Sequence, residues 1–140
     1  MKRRAECCCS NSSIEVNGDP VLSGVCHCDD CKKRTGSAFG LSAYFPQKEI
    51  IKITGNFKSY CLDAETGSQE RFFCKQCGTT LYWKTPTIKN CIGVAAGCFI
   101  SPPLPMPEFV AYTENSCHWL IISELIKSEL SAADIPQIKP

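Results

Sequence analysis

Apolar and polar residues follow one another in short runs along this chain, with β-branched and aromatic side chains bounded by Gly, Pro and Asn. A period of two places alternate side chains of an extended segment on one face, which is the signature of half-buried strands. The pattern predicts strands over 12–16, 21–26, 38–45, 50–54, 57–61, 70–73, 80–84, 91–96 and 109–112. Turns are predicted at Asn17-Gly18-Asp19-Pro20, Gly55-Asn56, Thr66-Gly67-Ser68 and Cys77-Gly78. Helical signals are few. Asp29 and Asp30 open a short helix, Lys32, Lys33 and Arg34 close it, and Gly36 stops it. A second helix is predicted over 119–130, where Ile122, Leu125, Ile126 and Leu130 keep a helical spacing. The expected fold is therefore mainly β, with one or two short helices. The proline-rich stretch from Pro102 to Pro107 reads as an extended connection.

The chain has 140 residues, the size of one domain, and a net charge of +1. No basic run exceeds Lys32-Lys33-Arg34, so the electrostatic footprint of a nucleic-acid partner is missing. The longest apolar run, 91–100, is too short for a bilayer and contains two glycines, so no membrane partner is expected. A cysteine group follows the basic start where a secretion signal would have an apolar stretch. The expected location is cytoplasmic; composition leaves the oligomeric state open.

Twelve cysteines in so short a chain require a chemical role. In a reducing compartment, C-x-C and C-x-x-C pairs read as metal ligands in preference to disulfides. Seven of the twelve fall in three groups: Cys7 and Cys9; Cys26, Cys28 and Cys31; Cys74 and Cys77. Four thiolates close a tetrahedral zinc site, and three leave a coordination position open. If Cys7-Cys8-Cys9 is extended, Cys7 and Cys9 share a face and Cys8 points away. Joined with the knuckle Cys74-Lys75-Gln76-Cys77-Gly78, they make a closed site across a long sequence separation. Cys26, Cys28 and Cys31 lie within six residues and could hold a second metal from one segment, beside the start of the short helix. A closed second site would need a fourth ligand from Cys61, Cys91, Cys98, Cys117, His118 or His27. His27 should face away from its cysteine neighbours, as a core or hydrogen-bonded side chain. Cys61, Cys91 and Cys98 read as small buried side chains, and Trp83 and Trp119 as core.

The order C-x-C, then C-H-C-x-x-C with Thr35-Gly36-Ser37-Ala38-Phe39, then Phe73-Cys74-Lys75-Gln76-Cys77-Gly78-Thr79-Thr80-Leu81, resembles the glutathione-dependent formaldehyde-activating enzyme family. That family includes the centromere protein V branch. The resemblance runs from about Glu6 to Phe99, with Ser10 standing where the family usually has Gly. It implies a single domain over residues 1–140 with an antiparallel, zinc-stapled β-tent, a fold shared with methionine-R-sulfoxide reductases. It implies two Zn2+ ions, one structural on Cys7, Cys9, Cys74 and Cys77 and one catalytic on Cys26, Cys28 and Cys31. It also implies a carbon–sulfur lyase whose partner is a small-molecule thiol, glutathione, which combines with formaldehyde to give S-hydroxymethylglutathione. Lys32, Lys33, Arg34 or Arg71 could orient the carboxylates of such a thiol. The alternative is a non-catalytic binding module of the same fold in which both metals are structural.

Overall fold

The computed structural model describes residues 1–64, 67–123, 126 and 135–140. Strands β1 (Lys2–Glu6), β2 (Ser13–Asn17) and β5 (Ile50–Thr54) form an antiparallel sheet in the order β1-β2-β5. A larger sheet contains β3 (Leu22–Cys26), β4 (Gly40–Pro46), β6 (Phe57–Ala64), β7 (Gly67–Cys74), β8 (Thr80–Lys84), β9 (Cys91–Ala95) and β10 (Phe109–Ala111). Its spatial order is β10-β3-β4-β9-β8-β7-β6. The one α-helix among the described residues, α1 (Asp29–Thr35), connects β3 to β4.

Burial on both faces of the large sheet explains why its central strands read as apolar runs. Ala43 and Phe45 of β4 pack with Ile14 and Val16 of the small sheet, and with Leu81, Ile92 and Val94, into the main core. Tyr44, between them in sequence, points the other way into a second cluster with Leu22, Trp83, Ile88 and Phe109. That second cluster underlies the candidate site. Trp83 fits there because its neighbour across the ladder is Gly93, where a β-carbon would stand 2.1 Å from the Trp83 indole nitrogen.

The mainly β expectation holds, with local corrections. β1 lies in the stretch read only as a basic start. Arg3 and Ala5 turn inward while Lys2 and Arg4 face solvent. The buried Arg3 guanidinium pairs with Asp19 and donates to the Gly18 carbonyl at 3.1 Å and the Pro103 carbonyl at 2.8 Å. The large sheet is mixed, because β10 runs parallel to β3. β4 begins at Gly40, since residues 36–39 close α1: Gly36 donates to the Lys32 carbonyl at 2.8 Å, and the Thr35 hydroxyl to the Phe39 carbonyl at 3.1 Å. β6 and β7 form a longer hairpin than predicted, so Gly67 and Ser68 are already strand and the turn itself lies outside the described residues. The helix predicted over 119–130 is not present in residues 119–123, where isolated turns leave Trp119 65% exposed and Ile121 91% exposed. Most of the remainder of that prediction lies outside the described residues. Trp119 is thus not core. No helix among the described residues is long and apolar enough to cross a membrane.

Candidate functional site

Cys7-Cys8-Cys9 is a turn and not the extended segment expected. Ser10 N–H donates to the Cys7 carbonyl at 2.9 Å and Cys7 N–H to the Ser12 carbonyl at 3.0 Å, with Ser10 left-handed at φ 60°. Cys7 and Cys9 still face one way and Cys8 stays outside, exposed. The knuckle closes in a related manner: Gly78 N–H donates to the Cys74 carbonyl at 2.8 Å and Cys74 N–H to the Thr79 carbonyl at 2.9 Å. The sulfurs of Cys7, Cys9, Cys74 and Cys77 all lie within 4.8 Å of one another, with 3.5 Å between Cys7 and Cys9 and 3.7 Å between Cys9 and Cys74. A tetrahedron of ~2.3 Å zinc–sulfur bonds has edges of about 3.8 Å, so this donor set fits zinc.

Hydrogen bonds to the sulfurs favour thiolates. Ser12 N–H donates to Cys7 Sγ at 3.2 Å, Asn11 Nδ2 to Cys9 Sγ at 3.4 Å, and Cys77 Sγ lies 3.3 Å from the Thr79 hydroxyl. The Thr79 hydroxyl, followed by its backbone N–H, holds Cys77 down at about 5. Burial pushes Cys7 up to about 11. A buried thiol among sulfur neighbours is a ligand that a cation would deprotonate.

The second set is local. Cys26 ends β3, Cys28 caps the N-terminus of α1, and Cys31 lies in its first turn, donating its N–H to Cys28 Sγ at 3.4 Å. Their three sulfurs also lie within 4.8 Å of one another, and no further Cys, His, Asp or Glu among the described residues joins them. Hydrogen bonds from Cys26 and Cys31 hold Cys28 down at about 2, while the bonds of Cys26 with Cys28 and Cys31, followed by burial, push Cys26 up. The close approach of the three sulfurs opposes their joint ionisation. Ionising all three requires a cation, so this set too could hold a metal.

The three sulfurs border a cavity of about 300 Å³, whose wall includes Asp30, Arg34, Tyr44, Arg71, Trp83 and Tyr112. The Arg34 guanidinium lies 4.6 Å over the Trp83 ring, and Trp83 Nε1–H donates to the Tyr44 hydroxyl at 3.4 Å. Arg71 sits across the β7–β8 ladder from Trp83 and donates from Nε to Gln69 Oε1 at 3.0 Å. Neither arginine makes an ion pair among the described residues. Burial, then the nearby Arg34 charge, lowers the pKa of Arg71. The two guanidinium groups face the same space and repel each other, an arrangement that an anion would relieve.

Residues 2–115 match the glutathione-dependent formaldehyde-activating enzyme family. The chain belongs to this family. A Fusarium vanettenii protein provisionally named as such an enzyme is 31% identical over 81 residues, which are 56% of this chain and 43% of that protein. An uncharacterized lyase of Schizosaccharomyces pombe is 38% identical over 72 residues, 51% of this chain and 49% of the relative. The chain spans about half the length of these curated relatives. A Rhodobacter sphaeroides crystal structure superposes with a TM-score of 0.56 at 20% identity, covering 73% of this chain and 91% of that one, a likeness of fold.

The remaining sequence candidates stand apart from the two sulfur sets. His27 is 1% exposed, its ring edge-on to Phe39 at 6.2 Å and its backbone N–H bonded to the Ala111 carbonyl at 3.0 Å, so the core reading is right. Cys91 is buried as expected, but Cys61 is exposed on the edge strand β6. Cys98 is half-buried, and burial pushes it up to about 11, which keeps it a thiol at neutral pH. Cys117 and His118 join neither set. Lys32 reaches the Asn115 carbonyl, and Lys33 is exposed. Tyr44, Gln69 and Tyr112 were not singled out from sequence. They reach the cavity through sheet register and the parallel return of β10, which no local pattern encodes.

Proposed function

We propose that the protein is a cytoplasmic, zinc-dependent carbon–sulfur lyase acting on a thiol–aldehyde adduct, with glutathione as thiol and formaldehyde as aldehyde. The observation that carries this reading is a three-sulfur set that no fourth donor among the described residues joins, bordering a cavity that holds two arginines without an ion pair among those residues. Cys26, Cys28 and Cys31 would hold the reactive zinc, and Cys7, Cys9, Cys74 and Cys77 the structural one. Zinc supplies Lewis acidity, which favours thiolate over thiol and polarises an aldehyde-derived oxygen.

The residues of the chain bind and orient. Arg34 and Arg71 take a carboxylate of the thiol in charge-assisted hydrogen bonds, and stacking on Trp83 fixes the plane of Arg34. The apolar floor of Leu22, Trp83 and Phe109 restricts water around the reacting atoms. In the adduct-forming direction a carbon–sulfur bond forms and the carbonyl π bond breaks. The thiol proton ends on the former carbonyl oxygen, so the net reaction consumes neither acid nor base.

Following adduct formation and breakdown by NMR tests this. A folded Cys31→Ser protein should turn over at least about a hundredfold more slowly, the scale of a lost Lewis-acid contribution. Turnover at the wild-type rate would contradict the mechanism and favour the binding-module reading.

A further inference from the structure

The family match stops at residue 115, yet a segment beyond it helps to build the cavity. Ile135 lies in the wall of the three-cysteine cavity. With Ile138 it packs on the second cluster, which contains Leu22, Trp83 and Phe109. Asn90 fastens the segment from below, its Nδ2 donating to the Ile138 carbonyl at 2.6 Å. Asn90 stands in the turn before β9 with its backbone at φ 59°, so the anchor is set by the sheet.

We infer that the C-terminal segment around Ile135 and Ile138 is a selectivity wall of the three-cysteine cavity, Ile135 limiting the size of the thiol that reaches Cys26, Cys28 and Cys31. The inference rests on the proposed thiol chemistry for its substrate, but the wall itself rests on packing alone. Arg34 and Arg71 offer the cavity charge, whereas Ile135 offers it apolar surface. The favoured ligand is therefore a thiol whose carboxylate meets the arginines and whose carbon chain is narrow enough to pass Ile135. An aliphatic side chain at this position excludes bulk without a directional requirement.

The test uses the zinc-loaded 140-residue chain in a Trp119→Phe background, which leaves Trp83 as its only tryptophan. Ile135→Ser and Asn90→Gly should each raise acrylamide quenching of Trp83 about threefold, through loss of apolar packing or of the anchoring hydrogen bond. Glycine keeps the left-handed backbone at position 90, so the second variant removes the anchor alone. Unchanged quenching in both variants overturns the wall. Calorimetry with glutathione supplies the second arm: Ile135→Trp, which fills the cavity, should weaken binding about tenfold. Equal affinity of wild type and Ile135→Trp overturns the selectivity role. Quenching that responds while wild type binds no glutathione contradicts the thiol reading and leaves the wall standing.

Discussion

A β-carbon at position 40 would stand 2.9 Å from the β-carbon of Cys31 and 2.7 Å from Arg34 Nη2. Gly40 pairs with Cys26 across the β3–β4 ladder, so its missing side chain lets α1 fold down until Cys31 meets Cys26. Gly40→Ala should therefore push α1 outward at a cost of roughly 1–3 kcal/mol and loosen the three-sulfur set. Metal analysis should find the second zinc lost and the first retained; full retention of both would refute this steric role. Ser10 presents the opposite case, a side chain where the backbone favours none. It is left-handed at φ 60°, so Ser10→Gly should stabilise the fold by roughly 0.5–1 kcal/mol, read as a higher urea midpoint. A lowered midpoint would show that the Ser10 side chain contributes more than its backbone strain costs.

Among the elements, β1 depends on one buried charge. The Arg3 guanidinium joins β1 to the β2–β3 turn through Asp19 and Gly18, and to the proline-rich connection through Pro103. Arg3→Met keeps the apolar stem but leaves those carbonyls unpaired, which should cost roughly 2–3 kcal/mol in urea unfolding. A change within experimental error would mean that water replaces the guanidinium. The same residue explains why β1 was illegible in the sequence: its inward-facing pair is Arg3 and Ala5, one of them charged, so the period of two did not register as apolar. Strands 50–54 and 80–84 had no such disguise and were legible to the residue. Over 119–123 the helix prediction failed for the converse reason, since an apolar spacing predicts a helix only where there is a core to receive it, and Trp119 and Ile121 face solvent. The sulfur sets were legible because their ligands come in pairs and triplets a few residues apart. The cavity beside them was not, because Arg71 meets Trp83, and Ile135 joins them in the cavity wall, only after the chain has folded.

For the molecule as a whole, Cys7 and Cys9 join Cys74 and Cys77 across the chain, fixing the turn between β1 and β2 to the end of β7. A metal there contributes directly to folding, while one on Cys26, Cys28 and Cys31 closes only a local segment. Stepwise chelation should therefore remove the second metal with the fold intact and the first only with unfolding, read by circular dichroism. A simultaneous loss would show that the two sets are not independent. The division of seven sulfurs into four and three is the central claim, and counting zinc on wild type and on Cys28→Ser tests it most directly. The account predicts two zinc ions per chain in wild type and one in the variant, with unchanged circular dichroism. Two ions retained by Cys28→Ser, or a single ion in wild type, would contradict it.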